Sequence, residues 1–214
     1  WDVAATERDL DTVTQILAGL GGSGKRFLYL SDASVLGDTA DSFGNEDNPT
    51  SPATPHPWQV RIEEMVLGAV AEGIHSVVVR PALVHGPAGG SLIDRLTVKA
   101  HDHGRSVYVD DGHWRTSTVN ATDLIDLIVH MARRAPEGLR YLAASTEVLT
   151  WRQIAEIISS RTNAAKGAVS ISTAEASELG LDAPRMTINS VVRDDAAHRR
   201  FGWTPHAEPF ASSR

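Results

Sequence analysis

Phe27–Asp38 reads FLYLSDASVLGD, and Ser76–Pro87 reads SVVVRPALVHGP. Each is an apolar run that stops abruptly at a small or polar residue. Between them, Trp58–Glu72 carries Ile62, Met65, Val66, Ala69 and Val70 on one helical face, opened by Pro57 and closed by Gly73. Strand, loop, helix, strand is the order that builds a parallel α/β sheet, whose ligands gather at the C-terminal strand ends.

Upstream, Val3, Leu10, Val13, Ile16, Leu17 and Leu20 predict a helix over Trp1–Leu20, ended by Gly21–Lys25 (GGSGK). Gly37–Pro57 is rich in Pro, Asp, Asn, Ser and Thr without periodicity, a loop long enough to suggest function. Downstream, the spacing predicts helices over Leu92–His103, stopped by Gly104, and Asp123–Arg134, capped by Asn120 or Thr122. A further helix runs from an N-cap at Thr150 to about Thr162, with Ile154, Ile157 and Ile158 inward, and a short one is capped by Ser172. Strands are expected at Ser106–Val109, Tyr141–Ala143 and Ala168–Ile171, before the aromatic, Pro-rich tail RRFGWTPHAEPF.

The 214 residues suffice for one sizeable core, or a core with a small second lobe. A hydrophobic content of 42% with 22% charged residues is that of a soluble globular protein. The net charge of −7, with no basic run, argues against nucleic acid and anionic membrane surfaces as partners. Without cysteine there is no disulfide, thiol nucleophile or thiolate metal site, which suits a reducing cytoplasm. Neither a transmembrane run nor a signal peptide is seen.

Three patterns are decoys. Gly19, Gly21 and Gly24 satisfy G-x-G-x-x-G, and Gly24-Lys25 nearly completes a P-loop. Both motifs must follow a strand and open a helix, so that phosphate meets helix-terminal N–H groups; here a helix precedes and a strand follows. Position 26 is Arg where a P-loop needs Ser or Thr. His101 and His103 flank Asp102 at a spacing that points neighbouring side chains apart, so no metal site is expected there. Ser31 lies outside any G-x-S-x-G elbow, which leaves a hydrolase reading weak.

Five segments in order resemble the extended short-chain dehydrogenase/reductases, specifically atypical members of the NAD-dependent epimerase/dehydratase family. FLYLSDASVLGD is similar to that family's fifth strand, and VVVRPALVHGP to its sixth strand and the loop passing the nicotinamide. VYVDDGHWRTSTVNATDLIDLI, YLAASTEVLTWRQIAEII and RRFGWTP resemble its substrate segment, its C-terminal lobe and its Leu-Gly-Trp-x-Pro signature. The resemblance implies an α/β fold: the C-terminal part of a Rossmann-like doubly wound parallel sheet plus a small α/β substrate-binding lobe. It divides as residues 1–90, the second half of the dinucleotide-binding domain, and 91–214, a mixed substrate lobe interleaved in space with the first.

The resemblance also implies NAD or NADP as cofactor, a small polar or sugar-like substrate, and a homodimer formed through the helices Trp1–Leu20 and Trp58–Glu72. Its first strand, Gly-rich turn and ribose-binding acid do not occur in this sequence. A missing N-terminal segment or a second chain is therefore expected to supply the phosphate grip.

The family's catalytic side chains are displaced. Counting back five from Gly37 puts Asp32 at the catalytic Ser/Thr, with Ser31 beside it. The Tyr-x-x-x-Lys pair falls on Pro55 or His56 and on Gln59 or Val60, so neither Tyr nor Lys is present. Substitutes would be Asp32 as base, His56 as acid/base and Arg61 as cation, His being suited by a pKa near neutrality. In the plain structural alternative Asp32 caps a turn, His56 lies in the loop and Arg61 pairs with a nearby carboxylate. By resemblance Ser31, Pro81, Leu83 and Val84 would approach the cofactor, while His85, Trp114 and Arg115 would face the substrate. Trp203 and Pro205 read as structural.

Three functions remain open on these residues: an NAD(P)-dependent oxidoreductase, epimerase or dehydratase; a non-catalytic relative serving binding or dimerisation; and a redox-neutral lyase or cyclase using Asp32 and His56.

Overall fold

The computed structural model describes residues 3–87 and 89–212, with side chains from residue 6 onward. Trp1, where the first helix was expected to begin, lies outside the described residues. Helix α1 (Val3–Leu20) ends at the glycine turn, and β1 (Arg26–Leu30) follows. A single 3-10 turn (Ala33–Leu36) and a long loop lead to α2 (Pro57–Gly68), which tightens into a second 3-10 turn (Ala69–Glu72) before β2 (His75–Pro81). Gly73 takes φ 76°, the left-handed conformation that ends such a helix cheaply only as glycine.

The remaining elements are β3 (Leu83–His85), α3 (Leu92–His103), β4 (Ser106–Val109), β5 (Arg115–Asn120), α4 (Ala121–Arg134), β6 (Leu139–Ala143), β7 (Val148–Thr150), α5 (Trp151–Thr162), β8 (Ala168–Ile171), α6 (Thr173–Glu178), α7 (Ala183–Met186) and α8 (Asp195–Phe201).

The main sheet has the order β1-β2-β6, all parallel, with Leu28 opposite Val77 and Val77 opposite Leu139. Successive β2 residues serve opposite faces, as a strand requires. Val78 joins Tyr29, Val13, Leu17, Ile62 and Val66 in the core under α1 and α2. Val77 and Val79 join Leu124, Leu127, Met131 and Trp203 in the core under α4. Burial on both faces is why this strand reads as an unbroken VVV rather than an alternation. Each of these valines is at most 1% exposed, and burying one fully is worth about 1.5–3 kcal/mol.

A second lobe carries the sheet β3-β5-β7 and the parallel pair β4-β8. Leu92, Leu96, Trp151, Ile154, Ile158 and Met186 fill its core. Strand β6, from beyond residue 91, pairs with β2 in the first sheet, and α4 packs against that sheet. Among the described residues no helix is long and apolar enough to cross a membrane.

Several local expectations met their elements. Asn120, rather than Thr122, caps α4, its side chain accepting from Thr122 N at 2.9 Å. Thr150 caps α5 in a reciprocal box with Gln153, and Ser172 caps α6 in the same way with Glu175. Two expectations need correction. Ile16 is 41% exposed and faces away from the α1 core, and Ile157 is only half-buried. The aromatic, Pro-rich tail begins within α8, and α8, β3, β5, β7 and α7 had no counterpart in the periodicity.

Candidate active site

The site forms where β1 ends. Asp32 leaves the strand in extended conformation, and its carboxylate accepts from Ser34 N at 2.8 Å, capping the 3-10 turn. Gly37 closes that turn at φ 74°, and a Cβ there would meet Ser51 Cβ at 2.5 Å. The loop therefore folds back against the turn, with Ser51 N donating to Val35 O at 3.0 Å. Thr54 continues this contact: its hydroxyl donates to Ser34 O at 3.0 Å and accepts from His56 N at 3.2 Å.

His56 thus arrives just before α2, 1% exposed, between two partners. Its Nδ1 lies 3.1 Å from Ser34 Oγ, and its Nε2 lies 2.9 Å from Asp182 Oδ2. An ionised carboxylate only accepts, so Nε2 carries the proton toward Asp182 and a neutral ring accepts the Ser34 hydroxyl proton at Nδ1. Ser34, His56 and Asp182 form a continuous buried relay. Asp182 is itself the N-cap of α7, accepting from Arg185 N at 3.4 Å. Arg185 then reaches back from α7 to form an ion pair with Asp32. Its Nε and Nη2 are buried without hydrogen-bond partners.

Beneath this cluster, Glu63 of α2 is fully buried and grips Arg80 of β2, with Arg80 Nε at 3.0 Å and Nη2 at 2.5 Å from its oxygens. Arg140 Nε approaches the same carboxylate at 3.4 Å. The pair ties α2 to the central strand and so fixes the height at which His56 meets Ser34.

Of the residues singled out in the sequence, the structure brings Asp32 and His56 into one cluster. Arg61 does not join them. It stands on the exposed face of α2 and makes no hydrogen bond or ion pair among the described residues, and Arg185 supplies the cation instead. Asp32 does cap a turn, but His56 is held rather than loose.

Ser31 is buried at the end of β1 with an unpartnered hydroxyl, while Pro81 and Leu83 are buried and Val84 half-buried at the end of β2 and in β3. His85 is 2% exposed and lies edge-on to Phe210 at 5.4 Å, under the C-terminal segment rather than open to a pocket. Burial pushes its pKa down. Arg115 reaches Asp41 at 3.2 Å and Ala40 O at 3.3 Å, pinning the long loop. Trp114 packs half-buried on the second lobe's core and stacks on His113 at 4.3 Å.

Ser34, Asp182 and Arg185 were absent from the sequence reading. Ser34 lay two positions beyond the residue aligned with the family's serine. Asp182 carried only a capping signal, an acid two residues ahead of Pro184.

Two hollows flank the relay. One of about 250 Å³ is lined by Arg95, Gly180, Leu181 and Asp182; the other, about 240 Å³, touches Thr54, Pro57 and Val60.

A family model for the NAD dependent epimerase/dehydratase family matches residues 3–144. The chain belongs to that family. It is 26% identical over 200 residues to an uncharacterised protein of Schizosaccharomyces pombe, covering 92% of this chain and 65% of that protein. Over 136 residues it is 27% identical to 4-hydroxy-2-methyl-3-oxo-4-farnesyl-3,4-dihydroquinoline-1-oxide ketoreductase of Stigmatella aurantiaca, covering 62% and 40% of the two chains.

Among solved structures it matches dTDP-glucose 4,6-dehydratase from Streptomyces venezuelae with NAD bound, at TM-score 0.80 and 17% identity, over 95% of this chain and 62% of that one. The fold is thus that of the family's dehydratases, and the chain spans less than two thirds of each relative's length. Ser31, Pro81 and Leu83 suit the nicotinamide end of the cofactor implied by the family. The Gly19–Gly24 run joins α1 to β1 rather than a strand to a following helix, so it is not a phosphate cradle of the G-x-G-x-x-G kind.

Proposed function

We propose that this chain is part of an NAD(P)-dependent oxidoreductase, epimerase or dehydratase acting on a small polar or sugar-like substrate, and that His56 carries its proton-transfer step. The observation that supports this reading is the Ser34–His56–Asp182 relay at the C-terminal end of β1. When bound, the dinucleotide supplies hydride transfer. The chain's own part is the proton. Asp182 holds Nε2–H and would balance the charge of an imidazolium, while the Nδ1 lone pair takes a proton passed by the Ser34 hydroxyl. Asp32, closed onto Arg185, anchors the site rather than acting as base.

The unpartnered Ser31 hydroxyl with Pro81, Leu83 and Val84 would meet the nicotinamide. Arg95, in the hollow beside Asp182, would meet an anionic substrate group, as a sugar nucleotide of the kind named for the Streptomyces dehydratase would present. His85, Trp114 and Arg115 would then shape the lobe rather than touch the reacting atoms. The phosphates would be gripped by protein outside this sequence, and Ile16 on α1 is an apolar side chain that a homodimer would cover.

Two observations favour a second reading, a non-catalytic member that keeps the fold for binding: His56 is 1% exposed and Asp32 is already ion-paired. Isothermal titration of the intact protein with NAD(H) and NADP(H) separates the two. Saturable heat with either supports the enzyme, and no heat with any of them supports the binding module. Turnover that survives complete removal of nucleotide would instead indicate a redox-neutral lyase.

A further inference from the structure

A cavity larger than the two beside the relay lies away from it. It has a volume of about 560 Å³ and lies against β6, which is at one edge of the sheet β1-β2-β6. Tyr141 of β6 lines it, with Glu46 from the long loop and Arg199 and Arg200 from the last turn of α8.

Three features of this cleft bear on what it could hold. Tyr141 is 1% exposed, yet its hydroxyl has no hydrogen-bond partner. Buried hydroxyls are nearly always paired, so the Tyr141 hydroxyl is an open donor in a residue that lines the cleft. Its ring is fixed against Phe201 of α8 at 5.4 Å, and the phenol feels both the Arg200 guanidinium and the Glu46 carboxylate. Burial raises its pKa, so the hydroxyl keeps its proton and can donate.

The second feature is the charge. Arg80, Arg115, Arg152 and Arg185 each reach a carboxylate, but Arg199 and Arg200 form no ion pair among the described residues. Both guanidinium groups line the cleft, beside the carboxylates of Glu46 and Asp47. The third is Glu46. Its Oε1 is engaged by Leu142 N at 3.2 Å and Ala196 N at 3.1 Å, which fixes the carboxylate at the cleft wall.

We infer that this cleft binds the phosphate ester of a small hydroxylated molecule, at a site separate from the relay. Arg199 and Arg200 hold the phosphate, since guanidinium forks match its oxygens, and the Tyr141 hydroxyl donates to it. Glu46 accepts from a hydroxyl at the other end of the ligand. Its negative charge also disfavours a second anionic group there, which selects a monoester over a polyanion. Arg140 already leans on Glu63 and contributes the wall rather than the grip.

The test is a nuclear magnetic resonance titration of the intact protein with glycerol 3-phosphate, with glycerol and lactate as controls. Saturable shifts centred on the amides of Leu142 and Ala196 are expected with glycerol 3-phosphate alone. Arg199→Ala/Arg200→Ala, both on the exposed end of α8, should weaken binding roughly tenfold or more, and Tyr141→Phe several-fold, with the fold retained in the amide spectrum. The inference is overturned by an absence of saturation up to about 10 mM, where a site with a Kd of about 1 mM would be nearly full. Lactate binding as tightly, or unchanged affinity in the double variant, would also overturn it. Because no nicotinamide cofactor enters the measurement, its outcome is independent of the proposed function.

Discussion

His56 Nε2 lies 2.9 Å from Asp182 Oδ2, joining the residue just before α2 to the cap of α7, far along the chain. Asp182 therefore serves two ends at once, orienting a buried imidazole and starting a helix. Removing one member of a buried polar pair strands the other, at a cost of about 3–5 kcal/mol. Asp182→Ala should lower the denaturation midpoint accordingly, and Asp182→Asn, which keeps the cap acceptor, should lower it less. A loss below about 1 kcal/mol for the alanine variant would contradict the pairing.

Glu63 and Arg80 make the same argument in the sheet. Their side chains are 0% and 1% exposed, so the pair has already met its desolvation cost. Glu63→Ala should destabilise by about 3–5 kcal/mol, whereas Glu63→Leu with Arg80→Met should recover most of it, because the paired state gains little over an apolar one. A double-mutant cycle by urea denaturation reads this directly. Equal losses in the single and double variants would refute it.

Gly37→Ala probes the turn beneath the relay. The new methyl meets both a positive φ and Ser51 Cβ, so a loss of more than about 1 kcal/mol is expected. Ser51→Gly in the same chain relieves the clash but not the backbone strain, and should restore only part of the stability. Thermal denaturation of the two variants distinguishes these contributions.

His85 predicts an acid limit. Burial holds its folded-state pKa below the ordinary value, so below about pH 6.5 the unfolded chain takes up the proton first. The associated stability is present above that pH and is lost as the pH falls through the window. His85→Phe keeps a ring against Phe210 and removes the titration. Its stability should fall less than wild type between about pH 7 and pH 5. Parallel curves would show that His85 does not contribute.

Much of the fold could be read locally. The caps at Asn120, Thr150 and Ser172 act within one helical turn, and the β2 valines are apolar because both faces are covered. Strand β5 was hidden for the opposite reason. Thr116, Ser117 and Thr118 are buried to within 1%, with Ser117 satisfied by Val192 at 3.0 and 3.2 Å, so a core strand presents a polar sequence. At the site, sequence proximity selected Arg61, one turn along the helix from His56. Helix direction turns that side chain to solvent, and Arg185 arrives from α7 by tertiary packing alone. Asp182 was equally invisible, since nothing local distinguishes a capping acid from one that also orients a histidine.

In the proposed function His56 carries the proton step of a nicotinamide-dependent reaction. The most direct measurement is nicotinamide absorbance during a single turnover of the intact, NAD(P)-loaded protein with nucleotide sugars, comparing wild type, His56→Gln and Arg61→Ala. An absorbance transient is expected in wild type, slowed about 10²- to 10⁴-fold in His56→Gln and unchanged in Arg61→Ala. A wild-type transient that His56→Gln leaves at full rate, or loaded protein that gives no transient with any nucleotide sugar, would contradict it.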